Sequence, residues 1–275
     1  MMNPNPTISI GIVIFQENVN MLAQVFVHLK TAISNMSSTQ FEIYIVDNHP
    51  SSQLELPLKK LAESTILHEK NALLKYIKTG KNIGYGAANN LAIRACQSDY
   101  HLIMNPDVFV SADAFLKAIA YMQTHQEVAL LTPSVFSVDQ TRQHLCKQNP
   151  TLFDMFLRGF SPNFIRKLFD QKISRFEMRE KDYDQEINDV PFPTGCFMFV
   201  RTEVLKQIGG FDEQFFLYFE DADLGRRILA VSHSAYVPEV KIVHQWARES
   251  RKQFKMFCIM IRSGFLYWRK HGGVF

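Results

Sequence analysis

Hydrophobic residues in the first half of the chain alternate between short β-branched runs and stripes with helical spacing. The run at 7–15 is apolar on both faces, which is typical of a strand buried from two sides. Leu22, Val25, Phe26, Leu29 and Ile33 then recur at helical spacing, and Asn18 or Asn20 is suited to cap that helix. The same alternation predicts further strands at 41–46, 73–77, 101–104 and 128–131, and helices at 87–95 and 111–125. Alternating units of this kind predict an α/β fold with a mostly parallel central sheet flanked by helices.

The second half of the chain starts with a long interruption of this pattern. Residues 137–190 mix charges with scattered Phe and predict an irregular or partly helical excursion. Regularity then returns, with a strand at 195–200, a helix at 203–208, a break at 209–210, a helix start at Glu220 and a strand at 235–243.

Composition narrows the class of protein. A hydrophobic fraction of 47% in 275 residues excludes a disordered chain, and a net charge of +3 is too small to indicate a nucleic-acid partner. The four cysteines lie far apart without a C-x-x-C pair, which favours reduced thiols in a cytoplasmic protein. No apolar run approaches the roughly 20 residues of a membrane-spanning helix, and the N-terminus lacks a basic signal-peptide region. We therefore expect a soluble or peripherally attached protein.

Polar residues follow several predicted strands at the point where each strand ends. In open α/β sheets, ligands bind beyond the carboxyl ends of the strands, so these positions are candidate site residues. The loop with Gly84 and Gly86 opens a helix, but Asn89 stands where a dinucleotide-binding motif has its third glycine. Such a loop is still suited to approach a nucleotide diphosphate at a helix N-terminus. The strand-end positions are Asp47-Asn48, Lys81 to Gly86 with Asn89, Asn105-Pro106-Asp107, and His244.

Asp107 and His244 form a candidate metal site. Each follows a predicted strand directly, and together they offer one carboxylate and one imidazole. Mg²⁺ or Mn²⁺ takes only one or two protein ligands when substrate phosphates and water complete its shell. We therefore predict a divalent metal held between these residues and a bound diphosphate.

The segment 211–223 places adjacent carboxylates directly after a run of aromatic residues. Glu220, Asp221 and Asp223 lie at a helix start, where the helix dipole stabilises negative charge. Helix capping explains only part of this pattern, because five aromatic residues precede the carboxylates. Aromatic residues of this kind can line a pocket that holds a carboxylate as a general base.

Taken together, these motifs resemble the inverting family 2 glycosyltransferases with the GT-A fold, close to the bacterial rhamnosyltransferase-like branch of O-antigen and capsule synthesis. The resemblance spans nearly the whole chain. Its most specific part is the block from Gly209-Gly210-Phe211 to Glu220-Asp221. It is carried by Asp47-Asn48, Asn82-x-Gly84-x-Gly86-x-x-Asn89-Asn90, Asn105-Pro106-Asp107, Thr194-Gly195-Cys196, Gly209 to Leu224, and His244-x-x-x-Arg248-x-Ser250.

The resemblance implies roles for these residues. Asp221 matches the catalytic base, with Glu220 beside it. Asp107 matches the last carboxylate of the family's Asp-x-Asp metal motif, whose first position is Asn105 here, and His244 completes the metal and diphosphate site. The implied donor-binding residues are Asp47, Asn48, Asn82, Gly84, Gly86, Asn89, Asn105 and Asp107, and the implied acceptor pocket contains Thr194, Gly195, Phe216, Tyr218 and Arg248.

The implied reaction is a single displacement with inversion that moves a sugar from a nucleotide sugar to a glycan acceptor, which is implied to be lipid-linked. The branch implies dTDP-rhamnose as donor, and a UDP-sugar is the alternative. A nucleotidyltransferase and a catalytically silent binding protein are further alternatives. The implied GT-A nucleotide-diphospho-sugar transferase domain covers 1–245, with a donor half at about 1–135, the excursion at 137–190, an acceptor half at 191–245, and a helical appendage at 246–275.

The C-terminal appendage carries more positive charge than the rest of the chain. From Arg248 to Lys270 there are seven basic residues against one acid. Aromatic and aliphatic residues at intervals of three or four predict an amphipathic helix with an aromatic face, formed by Phe254, Phe257, Ile261, Phe265 and Trp268. This helix either docks on the catalytic domain or rests on anionic lipid at the inner face of the plasma membrane.

Overall fold

A computed structural model describes residues 5–51, 53–66, 69–151, 153–154, 157, 161–245 and 254–272. Helices and strands follow one another in an α/β order, as the periodicity predicts. The helices are α1 Val19–Ser34, α2 Glu55–Ser64, α3 Tyr85–Ala95, α4 Ala114–Thr124, α5 Asn163–Leu168, α6 Asp170–Phe176, α7 Thr202–Gln207, α8 Glu220–Leu229 and α9 Phe254–His271. The strands are β1 Ile8–Ile14, β2 Phe41–Asp47, β3 Ala72–Lys78, β4 Tyr100–Met104, β5 Val108–Val110, β6 Val128–Phe136, β7 Arg142–Gln143, β8 Cys146–Lys147, β9 Ile187–Asn188, β10 Phe192–Pro193, β11 Phe197–Arg201 and β12 His233–His244.

One central sheet organises the molecule, with strand order β3-β2-β1-β4-β11-β6-β12-β5. The first four strands in this order are parallel, and every residue of β1 and β4 is buried. Burial on both faces explains why these strands consist of continuous apolar runs. The first helix begins as predicted, because the Asn18 side chain accepts a hydrogen bond from Asn20 N at 2.8 Å. The mostly parallel sheet with flanking helices is therefore confirmed.

Two antiparallel strands in the other half of the sheet lie outside the parallel pattern. β11 runs antiparallel to both neighbours, β4 and β6, and β5 pairs antiparallel with the end of β12. The helix α2 and the short strand β5 were not predicted, because a three-residue strand and a helix with few apolar positions give a weak periodic signal. The observed β6 and β12 are also longer than the predicted strands at 128–131 and 235–243.

The excursion at 137–190 is partly helical, as expected, but it also supplies strands. β7 and β9 extend the central sheet at β6 and β12, while β8 and β10 form a separate two-stranded sheet. In that small sheet Lys147 lies opposite Phe192, and Cys146 lies opposite Pro193. The excursion therefore places Cys146 and Lys147 beside β10, the strand that directly precedes Thr194 and Gly195.

The C-terminal helix α9 packs on the rest of the structure, but not all of its predicted aromatic residues are buried there. Trp268 is 4% exposed and Tyr267 is buried with it, whereas Phe265 is 62% exposed. The predicted aromatic face is therefore only partly buried: the ring centroids of Phe265 and Trp268 lie 6.4 Å apart, and Phe265 stands at the exposed edge of the contact. In the described part of the chain, no helix is both long and apolar enough to cross a membrane.

Candidate active site

The candidate site lies at the carboxyl ends of β1 and β4. The strand order reverses at this point, because β2 and β3 lie on one side of β1 while β4 lies on the other. A crevice at such a reversal is where open α/β sheets bind ligands. The segment Asn105-Pro106-Asp107 follows β4 directly and is partly exposed at this edge.

The short strand β5 brings Asp107 and His244 together. In the antiparallel pair of β5 and β12, His244 lies opposite Val108, the residue after Asp107. The backbone N–H of Gln245 also donates to the Asp107 carbonyl oxygen at 3.0 Å. As a result, His244 Nε2 lies 3.4 Å from Asp107 Oδ1, although the two residues are far apart in the sequence.

This pair has the chemistry and the spacing of a partial metal site. Two donor atoms at about 2.1 Å from one divalent ion lie roughly 3 Å apart in octahedral geometry, close to the observed separation. Among the described residues, no group of three or more His, Cys, Asp or Glu side chains is arranged to hold a metal. The pair therefore fits an ion that takes its remaining ligands from a bound diphosphate and water.

The residues after β2 connect the two loops of the predicted donor pocket. Asp47 is buried, and its carboxylate accepts hydrogen bonds from the Tyr76 hydroxyl and from His49 N. Asn48 Nδ2 donates to Asn82 Oδ1 at 3.1 Å and to the Gly84 carbonyl at 3.2 Å. These contacts fix the conformation of the loop at 81–84 relative to the end of β2.

The two glycines of this loop have a packing role. Gly84 has φ +92°, and a Cβ there would lie 2.5 Å from the Phe216 carbonyl oxygen. A Cβ on Gly86 would lie 2.9 Å from the Phe211 Cβ. Protein atoms, rather than open space for a ligand, therefore surround both positions. Asn89 is also fully buried, so donor binding by Gly84, Gly86 and Asn89 stays a prediction.

Tyr85 links the end of β4 to the segment before β11. Its hydroxyl lies 2.9 Å from Asn105 Oδ1 and 3.1 Å from the Gly195 carbonyl oxygen. Asn105 N in turn donates to the Cys196 carbonyl at 3.0 Å. Asn105 is thus held between the predicted donor half and the predicted acceptor half.

The two carboxylates at the start of α8 lie in different environments. Asp221 Oδ2 accepts from Gly195 N at 3.1 Å, and Asp221 Oδ1 accepts from Ala222 N at 2.9 Å. Glu220 is 5% exposed, and its Oε2 atom has no hydrogen-bond partner among the described residues.

These environments assign the proton of the pair to Glu220. Burial and the neighbouring Asp221 raise the pKa of Glu220 well above its usual value. Burial also raises the pKa of Asp221, but two backbone N–H groups and the Lys147 charge oppose that rise. We infer that Glu220 is the neutral acid and Asp221 the ionised carboxylate of the pair, because Lys147 and the N–H groups of Gly195 and Ala222 stabilise negative charge on Asp221.

Of the other predicted acceptor residues, Gly195 is the one that the contacts of the described chain place against Asp221. A Cβ on this glycine would be 3.1 Å from the Asp221 Cβ. Thr194 Oγ1 donates to the Leu145 carbonyl at 2.7 Å, which ties this segment to the excursion. Phe216 is exposed, and Tyr218 lies in the turn before α8. The last predicted acceptor residue, Arg248, lies outside the described residues.

The structure adds Lys147, which the sequence did not single out. Lys147 is 7% exposed, and its ammonium lies 4.7 Å from the centre of the Phe192 ring. Its charge acts on Asp221 and on the thiol of Cys196. A lysine on a two-residue strand within an irregular segment gives no sequence signal, because only the pairing of β8 with β10 places it near α8.

Glu17 is a second residue that the sequence did not indicate. It follows β1 and is partly buried, and its carboxylate accepts a hydrogen bond from Phe15 N. Burial raises the pKa of Glu17 to about 7, and the negative charges of Asp107 and Asp47 contribute to the rise. Three carboxylates therefore concentrate negative charge at the edge where a cation is predicted.

Comparison with known proteins places this geometry in a family. Residues 9–209 match the family described as glycosyl transferase family 2. The rhamnosyltransferase WbbL of Escherichia coli K12 is 28% identical over 253 residues, which cover 87% of each chain. The N-acetylglucosaminyl-diphospho-decaprenol L-rhamnosyltransferase of Mycobacterium tuberculosis is 27% identical over 192 residues, which cover 64% of this chain and 60% of that protein.

Solved structures with this fold are glycosyltransferases. The mannosyltransferase PcManGT from Pyrobaculum calidifontis, in complex with GDP-Man and Mn²⁺, has a TM-score of 0.62 at 15% identity, covering 98% of this chain and 66% of that chain. TarS of S. aureus, in complex with UDP-GlcNAc, has a TM-score of 0.58 at 15% identity, covering 89% of this chain and 60% of that chain. At this identity the likeness shows the GT-A fold alone. The match to the family model across most of the chain shows more: this protein belongs to glycosyl transferase family 2.

Proposed function

We propose that this glycosyltransferase inverts the configuration of a sugar while moving it from a nucleotide donor to a glycan acceptor in bacterial cell-surface polysaccharide synthesis. The observation that carries this proposal is the Asp221 carboxylate, which accepts a hydrogen bond from Gly195 N, together with the Asp107–His244 pair at the strand-end edge of the sheet. The proposed donor is dTDP-rhamnose, because two relatives are named as rhamnosyltransferases. A UDP-sugar is the second candidate, because a structural neighbour was solved with UDP-GlcNAc.

In the proposed mechanism Asp221 removes the proton from the acceptor hydroxyl, which then attacks the anomeric carbon from the face opposite the leaving nucleotide. The N–H groups of Gly195 and Ala222 hold the Asp221 carboxylate in place, and neutral Glu220 adds no charge repulsion. A divalent Mg²⁺ or Mn²⁺ ion held by Asp107 and His244 would supply electrostatic stabilisation of the diphosphate leaving group. Nucleotidyl transfer and a silent binding role are disfavoured by the family membership and by the presence of all these groups.

The acceptor in this proposal is a lipid-linked glycan, and contact with the inner face of the plasma membrane follows from it. One relative is named for a decaprenol-linked substrate. On α9, the residues Lys255, Cys258, Arg262, Phe265 and Arg269 are all exposed, and their spacing places them on one face of the helix. This basic face, with Phe265 at its edge, is suited to anionic lipid.

A donor panel tests the proposal directly. Purified protein is mixed with dTDP-rhamnose and several UDP-sugars, and nucleotide release is measured with and without a lipid-linked acceptor analogue. We expect acceptor-dependent release with dTDP-rhamnose, and a decrease of about 10²- to 10⁴-fold in kcat for Asp221→Asn with nearly unchanged donor affinity. Normal turnover of the Asp221→Asn variant would exclude Asp221 as the base, and turnover with a UDP-sugar alone would favour the second donor.

A metal titration tests the role proposed for Asp107 and His244. We expect Mn²⁺ to bind weakly to the protein alone and more tightly when the donor nucleotide is present, because the protein supplies only two ligands. The variant His244→Ala should lose this nucleotide-dependent binding. Transfer that continues at full rate in the presence of a chelator would contradict the metal site.

A further inference from the structure

Asp223 is a fully buried carboxylate that joins helix α8 to the C-terminal helix α9. It is 0% exposed and lies two residues after Asp221. On its own helix it pairs with Arg227, whose Nε atom lies 2.7 Å from Asp223 Oδ2. The other oxygen, Oδ1, lies 2.8 Å from Lys270 Nζ and 2.7 Å from His271 Nε2. Of these three basic partners of Asp223, two belong to the last turn of α9.

The backbone turn before α8 is strained. Tyr218 and Phe219 both have φ +68°, which is unfavourable for residues with bulky side chains. Conformations of this kind persist only where the surrounding structure holds them. The turn leads directly into Glu220 and Asp221, so its conformation fixes where α8 begins.

Helix α9 supplies contacts that hold this turn. Ser263 Oγ donates to the Leu217 carbonyl at 2.8 Å, one residue before Tyr218. The Phe219 ring packs against Tyr267 and Trp268, with centroid separations of 5.5 and 5.4 Å.

Gly264 allows this close approach of α9. A Cβ at Gly264 would lie 2.7 Å from the Trp268 ring and 3.3 Å from the Phe219 ring. The helix is anchored independently on the excursion, because Trp268 Nε1 donates to the Pro150 carbonyl at 2.9 Å. The turn before α8 is thus packed against a helix that is itself fixed to another part of the domain.

We propose that the last turn of α9 positions the base-bearing helix, so that Lys270 and His271 are positioning residues for Asp221. The proposal rests on the proposed function, because it takes Asp221 to be the base. Among the described residues, Asp221 forms no hydrogen bond or ion pair with Lys270 or His271. In this proposal the two residues therefore act on Asp221 through Asp223. Because a displacement of about 1 Å in a reacting group can cost roughly 100-fold in rate, a small shift of α8 is sufficient to affect catalysis.

A double variant of the full chain, Lys270→Met with His271→Leu, tests the proposal. We expect kcat for transfer to fall about 10- to 100-fold, because Asp223 keeps only Arg227 and α8 loses its fixed position. The Kd for the donor nucleotide should stay within about twofold, because Asp47 ends β2 and Asp107 lies between β4 and β5, outside α8 and α9. The matched control is Lys60→Met, which removes an exposed charge from helix α2 and should leave kcat unchanged.

Two further measurements separate positioning from a general loss of structure. Lys270→Arg should retain most of the wild-type kcat, since it keeps a cation beside Asp223. Amide hydrogen exchange should accelerate at 217–222 in the double variant, while β1 and β4 keep their protection. If the double variant does not fold, the single variant Lys270→Met is measured instead, with a smaller decrease in kcat expected.

The outcomes distinguish this inference from the proposed function. If Asp221→Asn abolishes transfer but the double variant retains the kcat of Lys60→Met, the positioning role is wrong and the proposed base stands. An equal loss of kcat and nucleotide affinity in the double variant would also overturn the positioning role. If Asp221→Asn is fully active, the proposed base is wrong, whatever the α9 variants do.

Discussion

At the scale of single residues, the environment of Asp221 decides its chemistry. The adjacent carboxylates are nearly equivalent in the sequence, yet only Asp221 receives backbone hydrogen bonds from Gly195 and Ala222. Burial raises the pKa of both acids, and a positive charge acts on Asp221 from Lys147. The distinction between the proposed base and the neighbouring acid therefore depends on groups that are distant in the chain.

Replacement of Lys147 should change the pH dependence of transfer. The active form of Asp221 is deprotonated, so the rate falls as the pH decreases through its pKa. Lys147 lowers that pKa, and we expect Lys147→Met to move the acid limb of kcat/KM upward by roughly one pH unit. The measurement is a pH–rate profile of the variant and the wild type, and Lys147→Arg should retain the wild-type limb. Burial keeps Cys196 and Tyr85 neutral in this range, so they do not contribute to the limb.

An unchanged acid limb in Lys147→Met would show that Lys147 does not act on the base. Glu220 is the remaining titratable neighbour, and its raised pKa predicts a separate limb at higher pH if it contributes. The variant Glu220→Gln distinguishes the two groups, because it removes the titration of Glu220 while Asp221 stays intact.

Gly84 offers a second residue-scale prediction, with Gly209 as its matched control. Both have positive φ, +92° and +78°, but only Gly84 has a backbone atom where a Cβ would be placed. We expect Gly209→Ala to lower the free energy of unfolding by about 1 kcal/mol, and Gly84→Ala by at least about 2 kcal/mol more. Chemical denaturation measures both values. Equal losses would show that the approach of Phe216 does not constrain Gly84.

At the scale of elements, two short strands bring the residues of the proposed site together. The three residues of β5 bring His244 to Asp107, and the two residues of β8 bring Lys147 toward α8. These strands are too short for periodicity to reveal them. The type of each longer strand and of most longer helices was predicted correctly. The ends of β6, β11 and β12 differ from the predicted ones, because sheet pairing rather than local preference sets where a strand stops.

Arg201 at the end of β11 connects that strand to α4 and gives an element-scale prediction. Its guanidinium donates to the carbonyls of Met122 and His125 at the end of α4 and to that of Val128. We expect Arg201→Met to lower the free energy of unfolding by about 2 to 3 kcal/mol, because these carbonyls lose charged donors. Urea denaturation measures the loss.

The control for Arg201 is Arg94→Met, which removes an exposed ion pair with Glu213. Exposed pairs contribute about 0 to 1 kcal/mol, so the control should differ little from the wild type. Equal effects in the two variants would contradict the role of Arg201 in ending α4.

At the scale of the whole molecule, helix α9 has two faces with different surroundings. The inward face packs Tyr267 and Trp268 on the turn before α8, and the outward face presents basic residues with Phe265. The two alternatives that the sequence left open for this helix are therefore compatible. Docking on the catalytic domain leaves a second face for anionic lipid.

Vesicle binding tests the outward face. We expect sedimentation with anionic but not neutral vesicles, weakened by salt, because each Lys or Arg near such a surface contributes about 1 kcal/mol. The variant with Lys255→Gln, Arg262→Gln and Arg269→Gln should lose most of this binding. The matched control neutralises three exposed lysines elsewhere, Lys60, Lys70 and Lys181. Equal binding of both variants, or no binding of the wild type at low ionic strength, would exclude this face as a lipid contact.

Local sequence patterns were sufficient to predict the type of fold and to select the residues proposed for the site. Apolar periodicity is a local property, so the buried strands and amphipathic helices could be predicted from it. The polar residues at strand ends could also be located, because parallel strands bring their carboxyl ends to one edge. The tertiary structure alone decided which distant groups meet: His244 with Asp107, Gly195 with Asp221, and Lys270 with Asp223. These contacts depend on strand register and on the face that a helix buries, which arise only when elements pack together.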